Sequence, residues 1–151
     1  MKNKNYTKKI ISDYCVIDLE TTGLSTYFDE IIEIALIKVR NDKIVEEYSQ
    51  LIKPINRIAP FITELTGISN EMVENMPVIE EVSDSVLSFI GDDIILGHNT
   101  SFDINFLKVG CSKQIDNKYM DTLQFARKLY PELKHHRLKD LSDYLKISKN
   151  K

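Results

Sequence analysis

The stretch Tyr14-Cys15-Val16-Ile17-Asp18-Leu19-Glu20-Thr21-Thr22-Gly23-Leu24 decides how the rest of the chain is read. Its opening residues are apolar and partly β-branched, the composition of a central strand over 14–18. Strand side chains alternate faces, so Asp18 and Glu20 emerge on one side of its end while Leu19 turns to the core. Two carboxylates held that close repel, at a cost of about 4 kcal/mol for ~4 Å and an effective dielectric of ~20. No Lys or Arg occurs between Ile10 and Ile37 to neutralise them locally. A hard divalent cation is the natural counter-ion for such oxygen donors. The bland alternative is a solvated strand end, and what else arrives at that tip separates the two readings.

Working outward, 31–39 (IIEIALIKV) reads as a second strand, Asn41-Asp42 as a turn, and 44–51 as a third strand with alternation. Short connections favour an antiparallel meander. Pro54 and Pro60 bracket a loop; short helices follow near 61–65, closed by Gly67, and near 70–74. Pro77 opens a helix over 78–90 with Val78, Val82, Val86 and Phe89 on one face, ended by Gly91. A short buried strand (94–96), a helix (101–109) and a strand segment (119–120) come next. Asp121 or Thr122 then caps a helix through Tyr130. Leu138, Leu141 and Leu145 mark a last amphipathic helix. The expected class is α/β: a mixed five-stranded sheet, three antiparallel strands plus two parallel, with helices on both faces.

A second constellation, Gly97-His98-Asn99-Thr100-Ser101-Phe102-Asp103, follows the fourth strand. Asp103 falls in the first helical turn, past the carboxyl end of a strand, where open α/β sheets bind ligands. Taken singly, Asp103 is an acid favoured by the helix dipole, His98 a hydrogen-bonded half-buried histidine, and Phe102 a core residue. Their occurrence together with Asp18 and Glu20 is what suggests a site.

Composition bounds the function. The 151 residues suit one domain, with 42% hydrophobic residues for a core and 28% charged. No apolar run approaches the roughly 18 residues of a membrane span, and no h-region follows the basic start MKNKNYTKK. A soluble, cytoplasmic protein without membrane contact is expected. Cys15 and Cys111 form no CxxC pair and read as free thiols in a reducing compartment, not a zinc site. Charge is unevenly spread: residues 58–107 contain nine acids and no Lys or Arg, whereas 108–151 contain eleven bases against five acids. A basic end of that kind suits a polyanion. GxxxxGK[ST], GxSxG and GxGxxG are absent, which leaves an NTPase, an elbow-type serine hydrolase and a dinucleotide dehydrogenase without support.

In this order, DLETTGL, IIEIA, LTGIS, HNTSFDINFL and MDTLQFAR resemble the DEDD superfamily of 3′→5′ exonucleases. The match is to its DEDDh (DnaQ-like) branch, which includes the epsilon-type proofreading subunit of bacterial DNA polymerase III, and it spans residues 14–147. The resemblance implies an RNase H-like fold, in agreement with the mixed sheet. It also implies two divalent ions, Mg²⁺ or Mn²⁺, held by four acidic residues, and a histidine as general base. Carried onto this chain, it makes Asp18, Glu20 and Asp103 catalytic metal ligands. Thr21 and Thr22 would meet the terminal nucleotide, mainly through the backbone. Leu24 and Leu65 would wedge at the terminal base, which Thr66 contacts. Phe102 would pack against sugar and base, and Asn99 would support the phosphate path. The implied substrate is a single-stranded 3′ end of DNA or RNA, in a role of the DNA proofreading or repair kind, with a DNA polymerase catalytic subunit as partner.

The chain departs from the family at its third motif, His-x4-Asp, which the family places on a helix after the segment matched here by 138–147. We therefore expect a single exonuclease domain over 1–151 that lacks this helix, binds metal weakly and cleaves poorly or not at all. His135-x4-Asp140 has the spacing. However, the leucines that follow match the family's preceding helix, and residues five apart on a helix lie about 140° apart. We read Lys134-His135-His136-Arg137 as basic surface. Two functions stand: an exonuclease releasing nucleoside 5′-monophosphates, or a non-catalytic nucleic-acid-binding or polymerase-associated module of the same fold.

Overall fold

The structure, a computed structural model, describes residues 11–147. The basic stretch 1–9, Ile10, and Lys149 and Lys151 of the basic end lie outside the described residues. In chain order the elements are β1 (Tyr14–Thr21), β2 (Ile31–Arg40), β3 (Lys43–Leu51), α1 (Pro60–Thr66), α2 (Asn70–Val73), α3 (Ile79–Ile90), β4 (Ile95–Gly97), α4 (Thr100–Gly110), β5 (Tyr119–Asp121), α5 (Thr122–Leu129) and α6 (Leu138–Tyr144). The five strands form one sheet in the order β3-β2-β1-β4-β5. Strand β1 pairs antiparallel with β2 and parallel with β4; β2–β3 is antiparallel and β4–β5 parallel.

Strand β1 runs beyond Asp18 to Thr21, so both of its carboxylates stay in the ladder, Asp18 opposite Ala35 and Glu20 opposite Glu33. The register breaks between Glu20 and Thr21, ending the strand in an irregularity just past the acidic pair. The β2–β3 hairpin turns on Asn41 and Asp42, at φ values of 50° and 60°. Two consecutive left-handed residues suit a two-residue turn that matches strand twist, and Asn and Asp tolerate that conformation well. Helix α1 ends as expected on Gly67, at φ 78°, whose N–H donates to the Thr63 carbonyl.

Two apolar clusters flank the sheet. The larger joins Cys15, Ile17 and Leu19 of β1 to Val86 and Phe89 of α3 and Leu107 of α4. The smaller joins Ile32 to Ile58, Ile62, Ile68 and Val73, beneath α1 and α2. Ile31, Ile34 and Leu36 of β2 belong to the first and Ile32 to the second, the exception falling where the β1–β2 register steps from Glu33 to Ile31. Helices α3, α4 and α5 pack against β2, β1 and β4. Both cysteines are free and buried. No helix among the described residues is long and apolar enough to cross a membrane.

Three local expectations need correction. Val78 is the residue before α3 and stands partly exposed; Ile90 takes a buried place beside Val82, Val86 and Phe89. The alternation along β3 does not buy burial, since it is an edge strand with Ile44 and Val45 both exposed. Of the three leucines expected to share the last helix face, Leu141 is buried, whereas Leu138 at the start of α6 and Leu145 just past its end are exposed.

Candidate active site

Asp103 reaches the tip of β1 because the β4–α4 turn is pressed against that strand. A Cβ at Gly97 would lie 3.2 Å from both the Ile17 carbonyl and Thr100 Oγ1, so only glycine permits this approach without displacement. Asn99 then adopts a left-handed conformation (φ 71°), and its N–H donates to Asp121 Oδ1 at 2.9 Å. The fully buried Thr100 hydroxyl donates to the Met120 carbonyl at 2.6 Å. Helix α4 is thereby aimed so that Asp103 Oδ1 accepts the Leu19 N–H at 3.1 Å. Leu19 lies between Asp18 and Glu20 in sequence, so Asp103 meets the strand segment that carries both other carboxylates.

Their electrostatics record the meeting. Asp103 is 5% exposed, and its pKa is pushed up to about 7. Burial is the main cause, Asp18 and Glu20 add repulsion, and the Leu19 N–H opposes the rise. Burial also raises Asp18, which His98 opposes. Glu20 is raised by burial, then by Asp18 and Glu33. Glu33 is the neighbour that sequence reading missed. Like charges directly opposite on paired strands are unfavourable, and no short-range pattern announces a partner fixed by hairpin register.

The other expected residues divide. Leu24 and Leu65 are 87% and 79% exposed, free to meet a ligand. Thr21 donates its hydroxyl to the Gly23 carbonyl at 2.6 Å. Thr22 donates its hydroxyl to Asp29 and accepts the Glu30 N–H, and its own N–H donates to the Glu30 carbonyl. These threonines thus build the loop that carries Leu24. Thr66 donates to the Ile62 carbonyl and accepts the Ile68 N–H, closing α1. Phe102 is half-buried, packed on the main core with its ring 4.8 Å from that of Phe106. The Asn99 side chain is exposed.

His98 is fully engaged: Nε2 donates to the His136 carbonyl at 2.7 Å, and Nδ1 is paired with Thr122 Oγ1 at 2.8 Å. Asp140 is likewise committed. Arg137 Nε donates to it at 2.8 Å, and it accepts the Arg137 N–H at the start of α6. That carboxylate serves Arg137.

Comparison with known protein families matches residues 15–151 to the RNase T family described as Exonuclease. The chain belongs to the exonuclease family. Among curated relatives, the DNA polymerase III PolC-type of Bacillus subtilis is 41% identical over 133 residues, covering 85% of this chain and 9% of that protein. The PolC-type enzyme of Caldanaerobacter subterraneus is 40% identical over 138 residues, covering 89% of this chain and 10% of that protein. The chain thus spans about a tenth of the length of these relatives. Among solved structures, exonuclease X in complex with 5′ overhanging duplex DNA superposes with a TM-score of 0.74 at 29% identity, covering 90% of this chain and 75% of that one. Escherichia coli exonuclease I with a dA16 oligonucleotide gives 0.78 at 21% identity, covering 92% and 37%, which shows the RNase H-like fold.

The residues present fit a hard divalent cation in donor type: three carboxylates, none in an ion pair with Lys, Arg or His among the described residues. They converge without closing. Among the described residues no group of three or more His, Cys, Asp or Glu side chains is arranged to hold a metal ion.

Proposed function

We propose that this exonuclease-family chain carries a 3′→5′ site that hydrolyses the terminal phosphodiester bond of a nucleic acid, DNA in the first place, by a two-metal mechanism. The observation that supports it most is Asp103 Oδ1 on the Leu19 N–H, which holds the third acid against the strand segment of Asp18 and Glu20. Asp18, Glu20 and Asp103 would hold the ions, Mg²⁺ or Mn²⁺, which when bound activate water and stabilise the departing 3′ oxygen. Asp103 must release its proton to serve, so ligation strengthens as pH rises through about 7.

The remaining residues orient the strand end. Leu24 and Leu65 expose apolar surface on which a terminal base packs whatever its identity, as a trimming enzyme requires. Thr21 and Thr22 act through the loop they shape. Phe102 stiffens the floor, while Thr66 and Asn99 flank the path of the terminal nucleotide. The reading extends to a cytoplasmic setting, consistent with two free buried thiols, and to association with a polymerase subunit, which the PolC-type relatives suggest.

The test is incubation of excess protein with a 5′-labelled single strand and Mn²⁺. Stepwise shortening from the 3′ end with release of nucleoside 5′-monophosphate, lost in EDTA and in Asp103→Asn, is the expected outcome. Shortening that persists undiminished in Asp103→Asn contradicts the assignment. Binding without shortening returns the chain to the non-catalytic module.

A further inference from the structure

Asp18 and His98 share a cavity of ≈ 490 Å³ with a cationic wall: Arg127 of α5, and Lys134, His135 and Arg137 of the segment between α5 and α6. We propose that this wall grips the phosphates of the single strand leading to the reaction centre, with Arg127 and Lys134 as its principal cations. The inference rests on the nuclease reading and adds to it the route by which a polyanion approaches an acidic centre.

Three observations carry it. The wall is held in place rather than left to sample solvent. His98 Nε2 donates to the His136 carbonyl at 2.7 Å, His136 Nε2 to the Tyr130 carbonyl at 2.8 Å, and the Tyr144 hydroxyl to Glu132 at 2.7 Å. The segment is thus stitched to β4, to the end of α5 and to α6, and less freedom remains to be lost when its cations bind. Next, Arg127 and Lys134 are exposed and in no ion pair among the described residues, whereas Arg137 is held by Asp140. Although they line the same cavity as Asp18, they are not spent on neutralising it. Finally, residues 58–107, which supply α1, α2, α3 and the first turns of α4, contain no Lys or Arg at all. Those elements offer a phosphate backbone no cation, whereas this cavity sets Arg127 and Lys134 beside Asp18. Its volume lies within the range of ligand sites.

The test is fluorescence anisotropy of a 5′-fluorescein oligothymidylate in EDTA, across a salt series, with the 151-residue chain and its Arg127→Ala/Lys134→Ala variant. Affinity at low salt should fall about tenfold. The slope of log Kd against log salt should flatten by about 1.4, since each phosphate contact on a single strand contributes about 0.7. Lys43→Ala, on the edge strand, should change neither. Charge reversal by Lys134→Glu alone gives an independent variant, with circular dichroism as the check on folding. Unchanged affinity and slope in both variants overturns the proposal, and so does equal affinity for a polyglutamate of matched charge. Titration of Mn²⁺ into the double variant separates the two readings. Mn²⁺ binding at the level of the unaltered chain leaves the carboxylate site intact, so that lost oligonucleotide affinity belongs to the grip. Absence of Mn²⁺ binding from the unaltered chain counts against the nuclease reading and leaves the anisotropy result to decide the grip.

Discussion

Asp103 is a carboxylic acid that folding makes reluctant to ionise. Its folded pKa of about 7 lies above the 3.8 of the free side chain, so the metal-free folded state holds a proton that the unfolded chain has released. The stability linked to that proton is fully present below about pH 4 and is lost as pH rises through about 7. The loss is of the order of 2–4 kcal/mol. In EDTA, the unfolding temperature should fall between pH 5 and pH 8. Asp103→Asn, which keeps an oxygen for the Leu19 N–H but cannot titrate, should flatten that fall. Parallel pH profiles for the two proteins, by thermal melting, contradict the assignment. The strand positions of Asp18 and Glu20 and the first-turn position of Asp103 are legible from sequence, because each lies in a short motif with a clear period or start. Glu33 is not legible, since its approach to Glu20 is set by a hairpin register. Nor is the commitment of the Thr66 hydroxyl to its own helix end, which depends on where α1 stops.

The loop after β1 and the segment before α6 are the elements on which the site depends. A Cβ at Gly23 would collide with the Asp29 carboxyl group, which accepts the Ser25 N–H at 2.9 Å and binds the Thr22 hydroxyl. Gly23→Ala should therefore open the loop, lower stability by about 1–3 kcal/mol, and speed chymotryptic cleavage at the exposed Tyr27 and Phe28. An unchanged melting temperature and cleavage rate contradict this. His98→Ala removes the bond to the His136 carbonyl that ties the 130–137 segment to the end of β4, together with the pairing to Thr122 of α5, at about 1–2 kcal/mol. Faster amide exchange confined to that segment is the expected signature, and unaltered exchange there contradicts the role. Elements with a strong internal period or a defined stop, such as β1 and α1, are readable to within a few residues. Strand β3 and helix α6 show why pattern alone falls short: alternating or leucine-spaced residues state which side is apolar, and only the neighbours decide whether that side is covered.

On the scale of the whole molecule, the sheet order is what brings the motifs together. The hairpin series β1–β3 is legible from its short turns, and the parallel additions β4 and β5 from their intervening helices. The large core is common to the sheet and to α4, so its integrity and the position of Asp103 are coupled. Leu107, fully buried one turn beyond Asp103, should cost about 2–5 kcal/mol when cut to alanine. Chemical denaturation measures that loss, and a cost below about 1 kcal/mol contradicts the coupling. What the fold finally achieves is one convergence of acids from β1 and α4, and calorimetry addresses it directly. With Mn²⁺ titrated at pH 8, where Asp103 is ionised, the account predicts a heat of binding for the unaltered chain that collapses in both Asp18→Asn and Asp103→Asn. Equal heats from all three proteins contradict it.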